Sequence, residues 1–178
     1  MTVRYITFAT SFGWCGLVRG GSGLLRVFLP EKKRERVERR LRAAYPGARC
    51  SRDPFAGLIR EFERYFEGIP VDFSAHLDFS AATGFQKKVW SETARIPYGR
   101  VKTYGWIAGR IGMPRASRAV GTALGRNPLP IIIPCHRVVG SNGSLTGYAG
   151  GINRKIKLLE LEGLDLSRFS IPKKGTAL

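Results

Sequence analysis

The chain of 178 residues is 43% hydrophobic and 24% charged, with a formal net charge of +17. That length carries one ordinary domain or two small ones, and the composition excludes a disordered tail, a collagen-like fibre and a disulfide-stapled miniature scaffold. The apolar runs fall well short of the roughly 20 residues that cross a bilayer. The opening residues also lack the apolar block of a secretory signal, so the expectation is a soluble cytoplasmic protein with no membrane partner. Charge is uneven: residues 1–78 carry 14 Lys/Arg against 9 Asp/Glu, and residues 79–178 carry 16 against 4. A surplus of that sign concentrates polyanions, of which nucleic acid is the commonest in cells; a merely solubilising surface is the alternative. Cys15, Cys50 and Cys135 form no CxxC pair, and His76 and His136 stand alone, so no bound metal is expected. Whether Cys15 and Cys50 are close enough for a disulfide is open at this stage.

RYITFAT, GWCGLVR and LLRVFL are short β-branched or aromatic runs separated by Ser-Phe-Gly and Gly-Gly-Ser-Gly turns, which predicts an antiparallel meander. EKKRERVERRLRAAYPG predicts a helix with Val37, Leu41 and Ala44 on one stripe, ending at Pro46-Gly47. PFAGLIREFERYFEG predicts a second, with Phe55, Leu58, Ile59, Phe62 and Phe66 on its core side. Residues 68–82 read as a connection with one short strand, and a domain boundary is placed between 78 and 79. Thr83 and Gln86 have capping-box spacing before the helix FQKKVWSETARI, and Thr103 can cap YGWIAGRIG. A turn through Gly112 leads to Pro114 as the first position of a third helix, PRASRAVGTALGRN, making a helix-turn-helix candidate. Ile131 to Ile133 are expected as a buried strand, and Asn153 as the cap of RKIKLLELE, which stops at Gly163.

Three features could carry chemistry. The third helix points Val120 and Leu124 inward, but is otherwise built of small residues flanked by Arg115 and Arg118. Its glycines cost roughly 1 kcal/mol each relative to Ala, which close approach to another helix or to a nucleic-acid backbone would offset. Cys135 and His136 follow a proline-bracketed apolar run; a cysteine is a nucleophile as its thiolate, so it needs a base or positive surroundings, with His136 and Arg137 nearest. An inert packing cysteine is the alternative. On a helical wheel Glu162 falls inside the apolar arc of Ile152, Ile156, Leu158 and Leu159, an arc that Lys155 shares. An inward carboxylate needs a partner, and His136 is the one histidine in this half; otherwise Glu162 swings into solvent.

NPLPIIIPCHRVVGSNGSLTGYAGGINRKIKLLELEG resembles the active-site block of the methylated-DNA–protein-cysteine methyltransferases, or O6-alkylguanine-DNA alkyltransferases. FQKKVW, IPYGRVKTYGWIA and RAVGTALGRNP fit the same family, so the resemblance covers about residues 79–163, while the N-terminal half matches in its order of strands then helices. The resemblance implies an α/β fold with a ribonuclease-H-like antiparallel sheet and helices in a structural domain at 1–78. A mostly helical domain of winged helix-turn-helix type at 79–178 would hold the active site and the DNA-binding face. It implies a suicide repair protein that needs no cofactor and whose Cys135 takes the alkyl group, with His136 receiving the thiol proton, Glu162 orienting His136, and Asn127 bracing the turn. The damaged base would be flipped out of the duplex. Arg118 would fill the gap, and Thr103, Arg115, Ala116 and Ser117 would line the DNA face. Tyr104, Tyr148, the Val138 carbonyl and the Ala149 N–H would hold the guanine. Ala149 stands where some relatives have Ser. The implied partner is double-stranded DNA containing O6-alkylguanine, with O4-alkylthymine left open, and the implied state is a monomer. A lesion-binding flag without repair is one rival, and relatives of that kind lack the cysteine of the PCHR motif; an ordinary helix-turn-helix regulator is the other, in which a buried Cys–His–Glu set would be needless.

Overall fold

The structure, a computed structural model, describes residues 2–171. Three strands, β1 (Arg4–Thr10), β2 (Gly13–Arg19) and β3 (Leu24–Glu31), form the expected antiparallel meander. A two-residue strand, β4 (Arg49–Cys50), joins β1 in parallel, giving the order β3-β2-β1-β4. The β1–β2 hairpin closes at Gly13, whose φ is 119° and where a Cβ would stand 2.6 Å from the Glu31 carbonyl oxygen, so only glycine fits. Because side chains alternate across a sheet, each face has its own helix. Helix α1 (Arg34–Ala44) packs Val37 and Leu41 against Tyr5, Val18 and Phe28. Helix α2 (Ala56–Phe66) covers the other face, where Phe62 meets Phe8 edge-on with ring centroids 5.9 Å apart. The short strand expected in the connection is a single bridge, Leu24 to Leu77.

Cys15 lies on β2 and Cys50 on β4, with β1 between them. Two strand spacings across the sheet and a three-residue offset along β1, from Phe8 opposite Cys15 to Tyr5 opposite Cys50, separate them by about 14 Å, beyond the roughly 7 Å Cα separation that a disulfide tolerates. All three cysteines are thiols.

The remaining elements are mostly helical: α3 (Gly84–Ala94), β5 (Lys102–Thr103), α4 (Tyr104–Arg110), α5 (Ser117–Gly125), β6 (Val138–Val139) and α6 (Ile152–Leu161). Thr83 and Gln86 close a capping box on α3, each side chain accepting from the other's backbone N–H at 3.2 and 2.9 Å. Trp90 locks α3 onto α5 by donating its indole N–H to the Ala123 carbonyl at 3.0 Å. Parallel pairing of β5 with β6, in the register Lys102 to Val138 and Thr103 to Val139, sets the start of α4 beside the segment that follows Cys135.

Three local expectations are corrected. Pro114 does not begin a helix: it sits second in a turn closed by Ala116 N–H donating to the Met113 carbonyl at 2.9 Å, and α5 starts at Ser117. Proline's fixed φ suits that turn position as well as a helix start. Ile131 to Ile133 form a buried turn rather than a strand, with Ile131 at φ 79°, because prolines at 130 and 134 remove two ladder donors. Asn153 lies inside α6, whose N-cap is Gly151 at φ 87°, a backbone angle that asparagine adopts less readily.

The chain divides into two compact units. One runs to Ala81 and includes Pro128–Pro130; the other holds Ala82–Asn127 and Ile131 onward. The return of three residues to the first unit is made by Val27 N–H donating to the Pro128 carbonyl at 2.9 Å. The boundary expected after residue 78 lies three residues ahead of this division.

Candidate active site

The Cys135–Arg137 segment is a single 3₁₀ turn whose three side chains are all buried. Buried backbone in such a turn needs partners, and Asn127 supplies one: its Nδ2 donates to the Ile133 carbonyl at 2.9 Å and to Cys135 Sγ at 3.2 Å. Burial pushes the Cys135 thiol above its ordinary pKa. The Asn127 amide, the Lys155 ammonium and the backbone N–H groups of Cys135 and His136 act the other way, toward the thiolate.

His136 is fully buried, and its Nε2 lies 2.7 Å from Glu162 Oε1. Burial holds the imidazole below its ordinary pKa, against the opposing pull of Glu162, so the ring is neutral at pH 7. Glu162 is the C-cap residue of α6 and is 4% exposed. Its burial favours the protonated acid, but donors from His136 and Arg137 outweigh that and hold its pKa down to about 2. An ionised carboxylate only accepts hydrogen bonds, so His136 carries its proton on Nε2 and its lone pair on Nδ1.

Sequence pattern does not reveal the roles of two members of this cluster. Arg137 reads there only as positive charge near Cys135. It points instead to Glu162, donating from Nε at 2.9 Å and Nη2 at 2.9 Å, and from Nη1 to the Ile96 carbonyl at 2.6 Å. Gly99 N–H adds a further donor to Glu162 at 3.2 Å. Lys155, a misfit in the apolar arc of the helical wheel, is wholly buried, and its Nζ donates to the Val138 and Thr146 carbonyls. Its burial lowers its pKa to about 8, with Cys135 opposing the shift. A basic residue on the buried side of a helix next to a Cys-His-Arg run is the signal that could have found it.

The expected base-holding residues fall around this cluster. Tyr104, the first residue of α4, donates its hydroxyl to the Thr146 and Gly147 carbonyls at 3.0 and 3.2 Å. Its pKa is raised to about 12 by burial and then by the Cys135 charge. Gly147, at φ 67°, leaves room for it, since a Cβ there would stand 3.0 Å from the Tyr104 hydroxyl. Tyr148 is buried, and its hydroxyl has no hydrogen-bond partner among the described residues. Its pKa is raised well above the ordinary value by burial and by Cys135. Val138 is buried, with its carbonyl taken by Lys155, while Ala149 is exposed.

The expected DNA-facing residues lie along the turn and helix from 115. Arg115 and Arg118 are exposed, and Ala116 and Ser117 are half-buried at the α5 N-terminus. Val120, Ala123 and Leu124 face inward. Thr103 is occupied in part as the cap of α4, accepting from Trp106 N–H at 3.0 Å. The described residues contain no group of three or more His, Cys, Asp or Glu that could hold a metal ion. Among the described residues, no helix is long and apolar enough to cross a membrane.

Fold and site together define a cysteine-centred α/β protein, with a buried thiol set beside a histidine–carboxylate pair. Residues 3–79 match the family model described as 6-O-methylguanine DNA methyltransferase, ribonuclease-like domain, and residues 84–164 match its DNA binding domain. A Mycobacterium tuberculosis protein named methylated-DNA–protein-cysteine methyltransferase is 44% identical over 160 residues, 90% of this chain and 92% of its own. The inducible protein of that name from Bacillus subtilis is 41% identical, with 84% of each chain covered. The crystal structure of Mycobacterium tuberculosis OGT in complex with DNA superposes with a TM-score of 0.74 at 40% identity, covering 93% of this chain and 94% of that one. The chain belongs to the 6-O-methylguanine DNA methyltransferase family.

Proposed function

We propose that the protein repairs alkylated DNA by moving the alkyl group of O6-alkylguanine onto its own Cys135. The observation that carries this reading is the placement of Cys135 Sγ against Asn127, in the same 3₁₀ turn as a His136 bonded to Glu162, in a chain of this family. The Cys135 proton passes to His136, whose Nδ1 lone pair is fixed by the Nε2 bond to Glu162. Sγ then attacks the alkyl carbon in line; the S–C bond forms as the C–O6 bond breaks with its electron pair passing to the base, and the guanine anion so released takes up one proton, balancing the one the thiol gave up. The product thioether has no leaving step, so each molecule acts once. Lys155 stabilises the thiolate on the way, and Tyr104, held by the Thr146 and Gly147 carbonyls, contacts the flipped guanine, while the Ala149 N–H donates to its oxygen.

The target atom is inaccessible inside a duplex, so the base is flipped out. Helices α4 and α5 act as the helix-turn-helix, with the small residues of α5 entering the minor groove, which is only about 6 Å wide. Arg118, exposed at the start of α5, takes the place of the rotated nucleotide, with Thr103, Arg115, Ala116 and Ser117 along the backbone. Tyr148, the Val138 carbonyl and the Ala149 N–H line the base pocket, and O4-alkylthymine is a second candidate lesion. Residues 1–78 serve as the structural domain and 79–178 as the reacting one, in a monomeric, cytoplasmic protein; the stretch past 171 lies outside the described residues.

A duplex carrying one O6-methylguanine with a labelled methyl tests the reading by mass spectrometry. One methyl per protein, on the peptide containing Cys135, is the expected result. Tight binding without a mass change would replace repair by lesion flagging. A separate comparison isolates the flipping step: Arg118→Ala should slow transfer from duplex DNA by tenfold or more, yet leave transfer from the free alkylated base within about twofold. Equal loss on both substrates would remove Arg118 from that role.

A further inference from the structure

Antiparallel register places Arg4 of β1 directly opposite Arg19 of β2, and the parallel pairing on its other side places Arg4 opposite Arg49 of β4. Three arginines therefore stand in one row across three neighbouring strands. Residues paired in register point to the same face, so the row faces one way. Tyr5 and Val18, one residue along, belong to the core under α1, which puts the arginines on the α2 side of the sheet. Adjacent strands lie about 4.8 Å apart, so the row spans about 10 Å. Like charges directly opposite one another destabilise a sheet.

Among the described residues of the first unit, no ion pair neutralises this row. Among the described residues no carboxylate oxygen lies within ion-pair distance of Arg4, Arg19 or Arg49. Arg4 and Arg49 are exposed, while Arg19 is half-buried and braced by donating Nη1 to the Pro54 carbonyl at 3.0 Å. Its remaining N–H groups are thereby presented in a fixed fork. Beside the row opens a cleft of about 490 Å³, lined by Thr2, Arg4, Arg19, Gly20, Gly21 and Pro54. Two of the six lining residues are glycines, so its wall offers backbone with no side chain in the way.

We infer that the Arg4–Arg19–Arg49 row and its cleft form a second nucleic-acid contact, which binds backbone phosphates independently of the site around Cys135. Guanidinium forks on adjacent strands suit phosphate oxygens bidentately, and a row of them can meet successive phosphates of one strand. Repulsion that no carboxylate among the described residues relieves is relieved by such a ligand. The contact reads charge and spacing, not sequence or damage. The inference rests on DNA as the partner, but not on alkyl transfer.

The test uses the full chain and an undamaged duplex, with affinity measured across a series of salt concentrations. For each phosphate that a variant no longer neutralises, the salt slope of log K falls by about 0.9. The triple variant R4Q/R19Q/R49Q should bind several-fold more weakly at low salt, with a slope smaller by about two to three. Single Arg→Gln variants at 4 and 49 should each remove about one unit, and they guard against loss of fold in the triple variant. Methyl transfer from free O6-methylguanine should stay at the parent rate in all of them. An unchanged salt slope in variants that still transfer methyl overturns the inference. A parent protein that binds DNA normally but transfers nothing would instead defeat the repair reading and leave this contact standing.

Discussion

Cys135→Ala is expected to abolish methyl transfer while leaving the fold and duplex affinity close to those of the parent. The reason lies in how the turn is held. Asn127 bonds both the Ile133 carbonyl and Cys135 Sγ, and the first of those bonds does not involve the thiol. The turn is also closed by Arg137 N–H donating to the Pro134 carbonyl at 2.8 Å. Removing one sulfur from a well-bonded segment leaves a cavity smaller than a methylene pair, for a loss of about 1 kcal/mol. The chemistry, in contrast, has no substitute acceptor. Cys15 is buried within the first unit, and Cys50 is exposed on β4 without a histidine–carboxylate pair. Protein mass before and after exposure to a methylated duplex reads transfer, and urea unfolding with a binding titration reads the rest. A methyl recovered on another residue at the parent rate would show that the acceptor had been misassigned. Loss of transfer together with unfolding would be resolved by Cys135→Ser, which keeps a hydrogen-bond acceptor for Asn127.

Much of this architecture is legible in local pattern. The three long strands and α1 follow from alternation, turn residues and a proline stop, and the Thr83–Gln86 box marks the start of α3. Glu162 could be placed by helical phase, because an acid inside an apolar arc must find a partner wherever the helix packs. Other features depend on tertiary context. An apolar run such as Ile131–Ile133 is buried either as a strand or as a turn, and its prolines decide the matter only once their missing donors are counted. Pro114 and Asn153 each suit two neighbouring positions, and the chain uses the one that pattern ranks second. Arg137 is a different case. Its partner is 25 residues away, and no periodicity links a 3₁₀ turn to a helix end. The register of the arginine row likewise appears only when the short strand β4 is paired.

The Arg137–Glu162 pair should dominate the acid stability of the protein. Glu162 has a pKa of about 2 when folded, against an ordinary carboxylate value near 4.5. A depressed carboxylate pKa contributes stability that is fully present above the unfolded value and is lost as pH falls through the folded one. Here that contribution is about 3 kcal/mol, lost between about pH 4.5 and pH 2. His136 adds an earlier loss: its folded pKa is also depressed, so protonation of the unfolded chain begins to draw the equilibrium as pH drops below about 6.5. Urea unfolding from pH 7 down to pH 3 should therefore show stability falling in two stages. Glu162→Gln should remove the lower stage and, at pH 7, lower stability by about 3–5 kcal/mol, because it leaves the buried Arg137 cation without its carboxylate. Arg137→Met should cost a similar amount, since Glu162 then loses its buried guanidinium partner. The double variant Arg137→Met, Glu162→Gln should lose less than the two single losses combined, as residues in one network are not additive. Additive losses, or an acid limb unchanged in Glu162→Gln, would mean that the pair is not the group that titrates. In that case the hold on His136 would have to come from elsewhere in the turn.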